Sequence, residues 1–349
     1  MPPEKILPNT NKELKQPRMV TLEKDAPQEE INRAYSSKND EIYNTLYLNS
    51  DYKGAIEEYT KLLKEAKEMN VSPEVRANTH ANDSFAKYFF ENKLPPEEKR
   101  EGTAYFSAMQ GLELLKDPEG KDLEGLGNHS IRSRLYLAAA LTKTYVLKEK
   151  GEETEGLFKS SLEEAEKSEN NERIGASENG YGLYYISPQV NLPQKAIPHF
   201  EKSAKIQLEE KNKKQEKYSR EAGHAYSNLI RLYNKIVSNN EGVPTETQTK
   251  YSQKAIEAGE EARNLYDPIK DIGHLISAIY HQSLAYINLG QFDKALKNYD
   301  SNKKIINDST LFDEAKKSEI KKQDENIEKA NKLKTEKNTG VIFPAPSTS

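Results

Sequence analysis

Apolar residues recur along most of this chain at three- and four-residue intervals, the period of helices that bury one face. From Gln28 onward, Ile31, Ala34, Tyr35, Ile42, Tyr43, Leu46 and Tyr47 form one such stripe. Past Asn49-Ser50-Asp51 a second stripe carries Tyr52, Ala55, Ile56, Tyr59, Leu62, Leu63 and Ala66. Two stripes joined by a short polar turn predict a helical hairpin. A second hairpin starts at Ser72-Pro73-Glu74, where serine before proline reads as an N-cap followed by the first helical residue. It runs through Ala81, Phe85, Tyr88 and Phe89, turns at Leu94-Pro95-Pro96, and returns with Tyr105, Ala108, Leu112 and Leu115 to end at Asp117-Pro118.

The pattern then repeats. A third hairpin pairs Ile131, Leu135, Ala138, Leu141 and Tyr145 with Leu157, Ser161, Leu162 and Ala165; a fourth pairs Ala176, Tyr181, Leu183 and Tyr184 with Ala196, Ile197, Phe200, Ala204 and Ile206. The fifth joins Ala222, Tyr226, Leu229, Leu232 and Tyr233 across Asn239 to Pro244 to Ala255, Ile256, Gly259 and Ala262. The sixth is compressed into Leu284 to Tyr299. A small residue marks the start of each second helix, at Ala55, Ala104, Gly156, Ala196, Ala255 and Ala295, 40 to 59 residues apart. Beyond them Ala315, Ile320, Ile327, Ala330 and Leu333 lie on a narrow stripe in a charged segment, as expected of a terminal cap.

The expected organisation is a loosely docked or disordered arm over 1–30, a solenoid of about six hairpins over 31–306, a capping helix over 307–336 and a disordered tail over 337–349. Composition agrees with a thin, extended core: 35% of the 349 residues are hydrophobic and 31% charged. With 52 basic and 56 acidic residues spread along the chain, no footprint for nucleic acid is visible. The absence of cysteine excludes disulfides, thiolate metal sites and cysteine nucleophiles. Neither a signal peptide nor an 18-residue apolar window is apparent, so a soluble cytoplasmic protein is expected, or an effector secreted without a cleaved signal.

Individual residues carry a resemblance. Tyr286, Leu289-Gly290, Phe292, Ala295 and Tyr299 of the sixth hairpin, with Tyr52, Ala55 and Tyr59 of the first, Ala196 and Phe200 of the fourth, and Tyr226-Ser227-Asn228-Leu229 and Tyr233 of the fifth, are similar to tetratricopeptide (TPR) repeats. The resemblance implies an all-α solenoid, a right-handed superhelix of TPR-like hairpins with a C-terminal capping helix. The spacing exceeds the family's usual period of about 34, no tryptophan occurs, and Pro198 is expected to shorten or kink the second helix of the fourth hairpin.

Candidate chemistry is sparse. His274 and His281 lack a third ligand, so no metal site is expected. The glycines of Gly175 to Gly182 lack the lysine and hydroxyl ending of a phosphate loop and read as helix packing. Adjacent acids such as Glu57-Glu58, Glu163-Glu164, Glu209-Glu210 and Glu260-Glu261 diverge by about 100° on a helix, so they read as solvated faces. What remains is implied by the resemblance: a concave groove lined by the first helices, where Asn44, Asn179, His224, Ser227, Asn228, Arg231, Tyr280 and His281 would hold a peptide. An asparagine amide donates and accepts at once, as a peptide backbone requires. A carboxylate clamp is not expected, because Glu178, Gly182, Ser277 and His281 stand where that clamp's cations and second asparagine would be.

The expected function is a non-enzymatic, monomeric scaffold or adaptor that needs no cofactor, inserts in no membrane and binds other proteins through peptide or helical segments. Two alternatives are a peptide-responsive regulator resembling Rap-type phosphatases and an exported bacterial effector on the same scaffold.

Overall fold

A computed structural model describes residues 26–47, 51–95, 98, 101–214, 219–238, 245–269, 271–309 and 313–338. The N-terminal arm before residue 26, the Asn49-Ser50 turn, Pro96, the turn from Asn239 to Pro244, Leu311 and the tail from 339 lie outside them, as does the side chain of Ala315. The described residues are helical apart from their turns and one isolated antiparallel bridge between Lys116 and Asp122. The fold class is an all-α solenoid, in which helical hairpins stack in chain order. The chain divides into two compact units, Met1–Ser168 and Glu169–Ser349, a division that the repeat pattern does not mark.

The first unit contains α1 (Gln28–Ile42), α2 (Tyr52–Glu68), α3 (Pro73–Lys93), α4 (Thr103–Glu113), α5 (Leu126–Leu141) and α6 (Glu152–Lys167). The second contains α7 (Asn171–Ile186), α8 (Pro193–Lys214), α9 (Arg220–Ser238), α10 (Thr245–Leu265), α11 (Ile272–Asn288), α12 (Phe292–Asp308) and α13 (Asp313–Asn338). Within each unit successive helices pack together, and the first helices of neighbouring hairpins also touch, α1 on α3 on α5 and α7 on α9 on α11. Each unit therefore presents a continuous first-helix face.

Local chemistry accounts for the helix ends. The Asp51 carboxylate accepts a hydrogen bond from Gly54 N at 3.0 Å, and Asn170 Oδ1 accepts from Glu172 N and Arg173 N, occupying donors that a helix start leaves free. Ser72 makes no such side-chain cap; Pro73 starts α3 instead, and Ser72 N donates to Asn32 Oδ1 at 2.9 Å. The start of α4 is held from another helix, since the Glu91 carboxylate of α3 accepts from Gly102 N at 3.0 Å and Thr103 N at 2.8 Å. Two first helices, α1 and α5, end in π-helical turns at Tyr43–Tyr47 and Thr142–Val146.

Small residues let the helices approach. A Cβ at Gly182 would lie 2.6 Å from the Phe200 ring, and one at Gly175 would lie 2.6 Å from Gln207, so these glycines do pack helices together. At Gly156, by contrast, a Cβ would meet nothing within 4 Å. Pro198 does not shorten its helix: α8 runs for 22 residues with the proline inside it. The proline forgoes the bond that an amide there would give to the Gln194 carbonyl, and the helix continues on both sides of it. Gly182→Leu is expected to destabilise the second unit by about 1–3 kcal/mol, because Phe200 is fully buried and cannot give way. Gly156→Ala should raise stability by about 0.5–1 kcal/mol through helix propensity alone. Thermal melts of both variants check the pair, and equal effects would contradict this packing.

The terminal helix α13 covers α12 through Ala330 and Ile327, which pack with Ala295 and Tyr299. The remainder of α13 is mostly charged and exposed.

Candidate functional site

The first-helix face of the second unit gathers most of the residues expected to bind. His224, Ser227, Asn228 and Arg231 share one side of α9, as their three- and four-residue spacing requires. Asn228 Nδ2 donates to Asn179 Oδ1 of α7 at 2.8 Å. That bond leaves Asn179 Nδ2 and Asn228 Oδ1, one donor and one acceptor, without hydrogen bonds among the described residues. Across the other flank, Asn234 Nδ2 donates to the His281 carbonyl at 2.7 Å and ties α9 to α11. Arg231 is exposed and makes no ion pair or hydrogen bond among the described residues. Tyr280 is half-buried, its ring against His281 and Tyr299.

The histidines here serve as neutral packing groups. Burial, then the neighbouring His274 and Arg220, hold His224 at about 3, and its ring lies 4.4 Å from that of His274. Burial, then Arg231, lower His281 to about 4. Ser227 Oγ lies 2.9 Å from the Tyr266 hydroxyl, so it is engaged within the hairpin. Glu178, at one of the positions where a clamp would need a cation, is buried, with His199 Nδ1 and Lys202 Nζ each at 2.6 Å. Burial pushes its carboxyl up, but those two hydrogen bonds outweigh it and the net shift is downward.

Asn44 does not join such a face contact. The π-helical turn after α1 brings its amide onto the Asp40 carbonyl at 2.8 Å, leaving the residue exposed. The first-helix face of the first unit is instead built from residues that the repeat pattern does not flag. Arg134 of α5 donates through Nη1 to Asn78 Oδ1 at 2.7 Å and through Nη2 to Asn82 Oδ1 of α3. Asn82 Nδ2 donates in turn to Asn39 Oδ1 of α1 at 3.0 Å. Three first helices are thus linked by one chain of amides and a guanidinium. Nearby, Asn39 Nδ2 and the Tyr59 hydroxyl are buried without hydrogen-bond partners among the described residues, and burial raises the Tyr59 hydroxyl far above its ordinary range. Asn78 Nδ2 is a further donor without a bond among the described residues. In sequence the only signal for this set is asparagine repeated four apart on one helix, too common to single out.

One paired acid is a correction. Glu164 does not lie on a solvated face: it is buried and ion-paired with Arg132. No cluster of three or more potential metal ligands occurs among the described residues, and no described helix is long and apolar enough to cross a membrane.

No protein-family model matches the chain, and no curated protein matches its sequence significantly. Among solved structures, the chain is similar to BtubC (BKLC) from P. vanneervenii at 11% identity and a TM-score of 0.45, over 93% of this chain and 97% of that one. It is also similar to a signal transduction ATPase with numerous domains (STAND) protein with a tetratricopeptide repeat sensor from Pyrococcus horikoshii. The identity there is 17% and the TM-score 0.47, over 87% of this chain and 44% of the other.

Proposed function

We propose that this protein is a non-enzymatic, TPR-type scaffold or adaptor of the cytoplasm that holds an extended peptide segment of another protein on a first-helix face. The observation that carries this reading is the Asn228–Asn179 pair, with its spare acceptor and spare donor side by side. An extended backbone offers an N–H and a C=O at every residue, and the pair answers one of each. Arg231, exposed on the same side of α9, adds a cation for an acidic side chain or carbonyl of the bound segment. The asparagine and arginine chain of the first unit supports the same mode, with Asn78 Nδ2 as its donor.

A peptide selected from a displayed library against the full chain tests this. Asn228→Ala/Arg231→Ala is expected to weaken its binding about tenfold or more, since each lost hydrogen bond is worth about 0.5–1.5 kcal/mol and a charge-assisted one more. Helicity by circular dichroism should stay unchanged. Unaltered affinity in that variant would remove the assignment.

A further inference from the structure

A cleft of about 560 Å³ lies between α8 and α10, with α9 as its floor. The floor is apolar and aromatic: Leu208 from α8, and Tyr226, Leu229 and Tyr233 from α9. At 100° per residue, those three α9 residues point away from Asn228 and Arg231, so the cleft is separate from the first-helix face and independent of the reading above. Its walls carry five glutamates against two lysines.

One end of the cleft holds a cation of the chain itself. Lys254 Nζ lies 2.9 Å from Glu201 Oε1 and 5.5 Å over the Tyr233 ring, while the Tyr233 hydroxyl donates to the same carboxylate at 2.8 Å. A tyrosine face and a glutamate thus hold a cation together. The same pairing recurs one helical stretch away, where Tyr226 lies near Glu261, close enough that burial and this carboxylate raise its hydroxyl. No lysine or arginine fills that position: Glu209, Glu257, Glu260 and Glu261 make no ion pairs among the described residues. The lining of α8, from Glu201 to Asn212, spans three turns of helix, about 16 Å.

We propose that this cleft binds a lysine- or arginine-bearing amphipathic helix of a partner protein. Apolar side chains at helical spacing would cover Leu208 and Tyr226, the half-buried residues of the floor above buried Leu229 and Tyr233, and flanking cations would meet the unpaired glutamates. Buried apolar contact supplies affinity, whereas the charges select the partner and speed its approach.

The test uses two dye-labelled 15-residue peptides with leucines at helical spacing, one with lysines at all other positions and one with glutamates. Fluorescence anisotropy with the full chain should show the lysine peptide binding at least tenfold more tightly, with affinity falling as salt rises. Glu257→Gln/Glu261→Gln should weaken it at least fivefold, while Glu29→Gln/Glu30→Gln on α1 should leave it unchanged. The inference is overturned if the cleft variant binds as the unaltered protein does. Equal loss in the two acid-pair variants would also overturn it, because the attraction would then be diffuse.

Discussion

Replacing Glu164 by alanine is expected to destabilise the first unit by about 3–5 kcal/mol, the cost of stranding a buried charge. Arg132 is 1% exposed, its Nε 2.6 Å from Glu164 Oε2, and its Nη1 donates to the Leu123 carbonyl at 2.7 Å. His129 Nδ1 and Lys167 Nζ lie on the same carboxylate at 2.8 and 2.9 Å. Burial alone would raise the Glu164 carboxyl, yet the hydrogen bonds from Lys167, His129 and Arg132 overcome it and hold the group at about 2. Alanine would remove the counter-charge and leave the guanidinium where water cannot reach it. Glu163, adjacent in sequence but exposed, serves as the control, and its alanine variant should fall within about 0.5 kcal/mol of the parent. Urea denaturation of the two variants decides the matter; similar midpoints would mean that the Arg132 ion pair does not hold α5 to α6.

The second large effect is acid lability. His80, His224 and His281 are held near 4, 3 and 4, chiefly by burial. At His80 the nearby Asp83 opposes the shift while Lys87 and Arg76 assist it. A histidine whose folded value lies below its unfolded value of about 6.5 is neutral in the native state and takes up a proton on unfolding. Stability is therefore complete above about pH 6.5 and is lost as the pH falls toward 4. Each such histidine costs roughly 1 kcal/mol at pH 5.5, allowing for partial solvent access. His224 and His281 both lie in the second unit, so its melting temperature should drop by about 4–8 °C between pH 7.5 and 5.5. His224→Gln/His281→Gln should flatten that slope. A melting temperature that holds or rises on acidification would refute the assignment of these rings as neutral groups.

The helices were legible because a solenoid writes its core as a local period: Tyr59, Ala55, Phe200, Ala196, Tyr299 and Ala295 are all buried where the repeat pattern places them. Contacts between hairpins were not legible. Glu164 reads as one of two surface acids until Arg132, 32 residues earlier, is brought beside it. Asn39, Asn82 and Arg134 come from three helices and share no motif, whereas Asn228 and Asn179 could be named because the resemblance supplied their face. Gly156 and Pro198 illustrate a common limit. Residue type states what a position tolerates, and only the neighbouring helix decides whether that tolerance is used. The Glu209 and Glu261 carboxylates likewise belong to one cleft only after α8 and α10 flank α9.

The central claim is that a peptide segment lies along a first-helix face. Within the sixth hairpin, Ser277 of α11 and Lys297 of α12 are both exposed and belong to its first and second helices respectively. A benzophenone side chain placed at either position, with a library-selected peptide bound, reports which helix the peptide touches. Crosslinking from position 277 and none from 297 is the predicted result; crosslinking from 297 with none from 277 would contradict the account.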